Sequence, residues 1–318
     1  MKYVSAALLL VFATSSASAQ SAPPPPTPAD APTYTESAGS EYVLLPVVVL
    51  DKKGRFVDGL QQKDFRVRVE TTPVAPDTFE RDDNAPVSMA FLVDTSGSME
   101  IAGKLENAKR AIRSIVDARL PGDDFALFEF SEGEVRMVAD FSTDSRKIIK
   151  ALNELSAAGM TALFDAVAAT PKLLKGKNAK RAILLFTDGV DNASKLTPGD
   201  MAEILQQVST PVYAIGMKNV MYDLLDRKQR EELFVENLRM LAASSGGKMF
   251  LVGEEDLRPL AARLSSEVRK QYILGFSPSG RGELKYRVVF VSVARKGNWV
   301  VRTRRGYRGT APNTTASR

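Results

Sequence analysis

The run Phe91-Leu92-Val93-Asp94-Thr95-Ser96-Gly97-Ser98 places a carboxylate and two hydroxyls on alternate residues, where an apolar strand (Met89 to Val93) gives way to a loop. Released from a strand end, Asp94, Ser96 and Ser98 can turn three hard oxygens toward one point. Hard oxygens carrying little charge suit a Mg²⁺-like cation, which demands octahedral geometry and keeps part of its water. Two later junctions offer matching groups: Thr161 in AAGMTALFDAV and Asp188 in AILLFTDGVDN. Open α/β sheets bind ligands beyond the carboxyl ends of their strands, so three segments distant in the chain can meet there. Each residue also has an ordinary structural use. Asp94 and Asp188 can cap helices or form turns, Ser96 and Ser98 can satisfy loop amides, and Thr161 can be a helix N-cap.

Strands and helices able to hold these residues in place are legible from about Pro86 onward. Strands are expected at Val87–Val93, Phe125–Phe130, Val135–Phe141, Ala182–Phe186, Val212–Ile215 and Lys248–Val252. Helical stripes lie between them: Leu105/Ala108/Ile112/Ile115/Val116, then Ile148/Ile149/Leu152/Leu155, then a helix starting at Thr161 and running through Leu163, Val167 and Leu174. Met201/Ile204/Leu205/Val208, Leu233/Phe234/Leu238/Leu241 and Leu257/Leu260/Ala261/Leu264/Val268 make three more. Such alternation implies an α/β fold, a mostly parallel sheet covered on both faces. Phe125–Phe130 and Val135–Phe141, joined by Ser131-Glu132-Gly133-Glu134, read as a hairpin at one edge.

Outside that pattern the chain is β. Tyr42 to Leu50 reads as a buried strand followed by a tight turn at Asp51-Lys52-Lys53-Gly54, and Phe65, Val67 and Val69 alternate with charged residues. Tyr272–Phe276, Tyr286–Val293 and Val300–Thr303 are further strands. They are expected to pair with the strands before Pro86, so that both ends of the chain build one small β-domain.

The order Asp94-x-Ser96-x-Ser98, Thr161, Asp188 resembles the metal-ion-dependent adhesion site of the von Willebrand factor type A domain. That resemblance implies a doubly wound six-stranded sheet and a binding module rather than an enzyme. It implies Mg²⁺ or Mn²⁺ held by Asp94, Ser96, Ser98, Thr161 and Asp188, with one coordination position left for an exposed Asp or Glu of a partner protein. Ser96 and Ser98 would then ligate directly, Asp94 and Asp188 mainly through water, and Thr161 in either way. Ca²⁺ prefers six to eight oxygens, more than this set offers. Gly97 and Gly189 are expected to let their loops pass close to the ion, and Asp191 and Asn192 to sit in a solvated loop. The phrases VVVLDKKGRFVDGLQQKDFRVRVE, KQYILGFSP and VVRTRRGY resemble VWFA-related proteins secreted by some bacteria.

Several enzyme classes are closed to this chain. With no His and no Cys, it has no Ser–His pair, no HExxH zinc site and no thiol nucleophile. No G-x-x-x-x-G-K-[ST] loop occurs. Ser245-Gly246-Gly247-Lys248 has the Ser-x-x-Lys spacing but falls at a helix end, without the companion motifs of Ser–Lys hydrolases. A Mg²⁺-dependent phosphotransferase of the haloacid dehalogenase type would need Asp-x-Asp, and Ser96 holds the second position. The rival that remains is a structural or assembly protein in which the metal only stabilises the loops.

The chain of 318 residues is 44% hydrophobic, enough for one large domain and a smaller one. Lys2, the apolar run Val4 to Ala13 and Ala17-Ser18-Ala19 form a signal-peptide pattern for 1–19, cleaved after Ala19. A Pro-rich spacer follows at 20–40, then a β segment at 41–85, the α/β domain at 86–270, a second β segment at 271–310 and a tail at 311–318. A periplasmic or secreted protein is expected, with no transmembrane helix in the mature chain and no nucleic-acid partner. The formal charge, 43 − 38 = +5, is concentrated toward the C-terminus. The cluster Arg302-Thr303-Arg304-Arg305-Gly306-Tyr307-Arg308 could contact an acidic polymer or membrane surface, and is read in preference as a charged edge strand that discourages sheet–sheet association.

Overall fold

The computed structural model describes residues 42–174, 180–206, 208–217, 227–252, 258–278 and 285–308. The expected signal segment, the spacer, the tail and Leu257 lie outside them. The first half of the chain forms β1 (Val43–Leu50), β2 (Phe65–Val69), β3 (Thr72–Val74), β4 (Thr78–Glu80), β5 (Val87–Asp94), α1 (Lys104–Asp117), β6 (Asp124–Ser131) and β7 (Glu134–Ser142). Then come α2 (Ser145–Glu154), α3 (Leu163–Ala169), β8 (Lys180–Thr187), α4 (Pro198–Gln206), β9 (Val212–Met217), α5 (Arg227–Ser244) and β10 (Met249–Val252). The chain continues through α6 (Arg258–Arg269), β11 (Tyr272–Phe276), β12 (Tyr286–Val293), β13 (Val300–Arg302) and β14 (Gly306–Arg308).

The central sheet has the order β10-β9-β8-β5-β6-β7. Every pairing in it is parallel except β6 with β7, the expected edge hairpin. β5 is buried along its whole length because it lies mid-sheet with helices on both faces. Met89, Phe91 and Val93 point into one apolar cluster with the stripe of α1, with Ile148 and Leu152 of α2, and with Leu264 and Val268 of α6. Ala90 and Leu92 point into the other, against Leu163 and Val167 of α3, Met201 and Leu205 of α4, and Leu238 and Leu241 of α5. Each large side chain so buried contributes roughly 1.5–3 kcal/mol. That burial fixes the register of β5 and hence the place where Asp94 leaves it.

The two ends of the chain do pair. β11 lies antiparallel to β1, with Val43 opposite Phe276, and the sheet runs β13-β1-β11-β4. β12 lies antiparallel to β2, with Val69 opposite Val289, in the order β14-β12-β2-β3. Leu45, Val47, Phe65, Val67, Tyr272, Leu274 and Phe276 close a core between these sheets.

Three expectations need correction. The third helix does not begin at Thr161 or reach Leu174: α3 spans seven residues, and Pro171 turns the chain into a short 3-10 segment. Residue Ala162, not Thr161, holds its N-cap position. Arg302 and Arg304 are not solvated edge charges either. Arg302 pairs with the fully buried Glu267 of α6, and Arg304 is itself buried.

Candidate functional site

Asp94 is the last residue of β5, and Asp188 follows directly on β8, so the two carboxylates stand at neighbouring carboxyl ends of parallel strands. Asp94 is fully buried. Its Oδ1 accepts the Ser96 N–H at 2.9 Å, the short turn that a strand-end Asp makes with its own loop. Its Oδ2 accepts the Thr187 hydroxyl at 2.6 Å. Ser96 Oγ lies 3.1 Å from Ser98 Oγ, with Ser96 buried and Ser98 half-buried. Burial pushes the Asp94 carboxyl up to about 6; hydrogen bonds from Ser96 and Thr187 oppose that rise, and the charge of Asp188 adds to it.

Backbone bonds stitch three loops together. Gly97 N–H donates to Gly159 O at 2.9 Å, and Ala158 N–H donates to Thr95 O at 2.7 Å. Thr95 N–H and Oγ1 both reach Phe130 O, at 3.0 and 3.2 Å. The buried Thr161 is held to the third loop: its N–H donates to Asn192 Oδ1 at 2.8 Å, and its carbonyl accepts Asn192 and Ala193 N–H at 3.0 Å. Asp191 and Ser194 reach across to the first turn of α3, where Phe164 N–H donates to Asp191 Oδ2 (3.1 Å) and Ser194 Oγ (3.0 Å). Asp191, half-buried, and Asn192, exposed as expected of a solvated loop, therefore also serve as struts between the loops. Gly189 has φ +81°, and a Cβ there would lie 3.2 Å from Phe234 and Leu238, so this position requires glycine. At Gly97 a Cβ would meet only Gly159 O, at 3.5 Å, an ordinary contact.

Residues 89–190 match the family model of the von Willebrand factor type A domain. This stretch of the chain is a von Willebrand factor type A domain. Such domains are protein-interaction modules. The match runs from the first loop through the second to the start of the third, so Asp94, Ser96, Ser98, Thr161 and Asp188 all fall inside it. Solved structures of similar fold include a von Willebrand factor type A protein from Catenulispora acidiphila, at 15% identity and TM-score 0.47, covering 89% of this chain and 76% of that one. Proximal thread matrix protein 1 from the mussel byssus shares 18% identity at TM-score 0.47, over 63% of this chain and 49% of that one. The present chain thus spans about half the length of the byssus protein. The vWF domain of the type V pili tip protein Mfa5 from Porphyromonas gingivalis shares 11% identity at TM-score 0.44, over 57% of this chain and 94% of that domain. No curated protein matches the chain.

Thr187 and Lys104, which restrain the candidate site, have no place in the sequence reading, and Asn192 enters it only as part of a solvated loop. Thr187 holds Asp94, Asn192 holds Thr161, and Lys104 pairs with Asp188 at 2.5 Å, with side chains 1% and 2% exposed. A signal for Lys104 existed. It falls in phase with Ala108, Ala111, Ile112 and Ile115 on the buried stripe of α1, in the first turn, where the helix dipole disfavours a cation. Asp94, Ser96, Ser98 and Asp188 are gathered by these contacts, while Thr161 is placed by its backbone. Among the described residues no three acidic side chains cluster as a metal cage. A donor set of two carboxylates and several hydroxyls instead fits a Mg²⁺-like ion that keeps water, and two interacting buried carboxylates call for positive charge.

Proposed function

We propose that the chain is a non-enzymatic, divalent-cation-dependent binding module that captures an exposed Asp or Glu of a partner protein. The observation that carries this reading is the meeting of Asp94, Ser96 and Ser98 with Asp188 at adjacent strand ends. In it, Asp94, Ser96, Ser98, Thr161 and Asp188 would hold Mg²⁺ or Mn²⁺. Bound there, the cation supplies an electrophilic corner for a carboxylate. Thr187 and Ser96 N–H fix the Asp94 carboxylate, and Asn192 fixes the Thr161 backbone, so the donors need little reorganisation. Exposed Ile101 and Met160, on loops flanking the donors, offer apolar contact around the captured acid. Ser245, the one Ser-x-x-Lys serine, has its hydroxyl engaged by Val212 N–H and Ala242 O, which supports a structural role for it.

Among the described residues no helix is long and apolar enough to cross a membrane. The Lys2, Val4–Ala13 and Ala17–Ala19 pattern supports an exported protein, periplasmic or secreted. A second reading, in which the cluster chiefly stabilises its own loops, draws on the Lys104–Asp188 pair, which already neutralises one carboxylate. Calorimetric titration with Mg²⁺ or Mn²⁺ should show one bound ion, lost in folded Ser96→Ala and Asp94→Ala variants. Proteins retained from envelope extract should be released by chelator and ignored by Ser96→Ala. A retained partner indifferent to both treatments would overturn the proposal; an ion that raises the melting temperature without altering any partner's affinity would favour the second reading.

A further inference from the structure

We propose that Lys104 is the built-in counter-cation of this site: its ammonium satisfies Asp188 when no ion is bound and competes with a divalent cation for that carboxylate. The inference rests on the metal-site reading above. It starts from an anomaly. An ammonium at the first position of α1 faces the positive end of the helix dipole, and burial strips it of water. Both costs are unfavourable, so a strong local partner must hold it there. That partner is Asp188 Oδ2, at 2.5 Å, itself shielded from solvent. Both Ala102 and Gly103, with left-handed backbone, turn the chain into α1 just before Lys104. The entry to the helix is thus shaped to deliver this side chain to the strand end.

The charge balance gives the consequence. Asp94 and Asp188 together carry two negative charges when ionised, and Lys104 returns one positive charge. A divalent ion arriving beside the three meets a net charge of only −1, and it meets a like charge within the same buried cluster. With Lys104 replaced by a neutral side chain, the two carboxylates would match the ion's charge. Lys104 therefore lowers the affinity for the ion alone and keeps the loops ordered in its absence. A carboxylate from outside would restore the balance.

The test uses the full chain and Mn²⁺ alone as probe, comparing wild type, Lys104→Met and Lys104→Gln, with Asp94→Ala as the control for binding at this site. Both Lys104 variants should bind Mn²⁺ about tenfold or more tightly than wild type. In chelator they should melt below wild type, because Asp188 then lies buried and unpaired, and Mn²⁺ should restore them more than it raises wild type. Variants that fold only in Mn²⁺ support the proposal equally. Mn²⁺ affinity equal to wild type within about twofold, with binding still abolished by Asp94→Ala, overturns this inference and leaves the metal site standing. Absence of Asp94-dependent Mn²⁺ binding in every form overturns both. Failure of both variants to fold even in Mn²⁺ also overturns it, since the ion should replace the ammonium.

Discussion

Replacing Thr187 by Val tests whether the buried Asp94 carboxylate is held by a hydroxyl or merely enclosed by packing. Thr187 is fully buried at the end of β8; its Oγ1 donates to Asp94 Oδ2 at 2.6 Å and accepts Gly189 N–H at 3.1 Å. Valine keeps the branched shape and removes both bonds. The bond to a charged acceptor contributes about 2 kcal/mol, and the amide left without a partner costs about 1 kcal/mol more. Thr187→Val should therefore lose about 3 kcal/mol, or about 6–12 °C in melting temperature for a chain of this size. Thr187→Ser keeps the hydroxyl and drops one methyl, a loss of about 1 kcal/mol.

The pH dependence separates charge from shape. The folded Asp94 carboxyl titrates at about 6, so its bond to Thr187 has the charge-assisted strength only above that value. The gap between wild type and Thr187→Val should be widest near about pH 7.5 and shrink toward about pH 5. Melting followed by circular dichroism in chelator measures all three proteins without interference from ions. A Val variant melting within about 2 °C of wild type at neutral pH, or a Ser variant falling as far as the Val variant, would refute the reasoning.

Other perturbations follow from the same geometry. In chelator, Asp94→Asn should stabilise the protein at about pH 7.5 by up to about 3 kcal/mol, seen as a higher urea midpoint. The sign follows from a folded pKa of about 6 against an ordinary 3.8: the stability this carboxyl gives is complete below about pH 4 and is lost as pH rises through about 6. An Asn variant less stable than wild type at about pH 7.5 contradicts that. Arg269→Met should cost about 3–5 kcal/mol, because Asp123, which also accepts Val87 and Leu120 N–H, is then buried without its guanidinium. Adding Asp123→Asn should recover part of the loss; strict additivity would show the pair is not coupled. Gly189→Ala should lose about 1–3 kcal/mol through its left-handed φ, whereas Gly97→Ala should be close to neutral; equal denaturation midpoints for the two would refute this.

The sequence made the central sheet legible because long apolar runs and period-matched helices repeat the same answer many times. Expected strand bounds fall within a residue or two of those observed. β3, β4 and β14 escaped because three residues carry no periodicity; pairing with β2, β11 and β12 makes them strands. The arginines of the last segment misled for a different reason. Charge in a linear run reads as solvated, but the fold brings Arg302 against Glu267, a residue 35 positions earlier in the chain. Asp94, Ser96 and Ser98 were readable because their spacing is local, and Lys104 was passed over because its partner lies 84 residues away. Local patterns announce donors. The groups that restrain those donors are long-range contacts, and they appear only once the sheet is assembled.

The assembled sheet also separates the candidate site from the contacts that join the flanking β sheets to it. Asp123 precedes β6 and binds the first amide of β5, so its pair with Arg269 sits at the amino ends of the strands, away from Asp94 and Asp188 at the carboxyl ends. Lys180, at the start of β8, donates to Asp82 O and Arg269 O at that same end. Arg302 reaches Gly247 O, just ahead of β10, and Glu267 in α6. The contacts that Asp82 and Arg302 make with Lys180, Gly247 and Glu267 thus join the flanking β sheets to the central sheet at its amino edge. The loops bearing Asp94, Thr161 and Asp188 take their order from one another and from Lys104, so a change at those loops can alter binding with little effect on how the β sheets are joined.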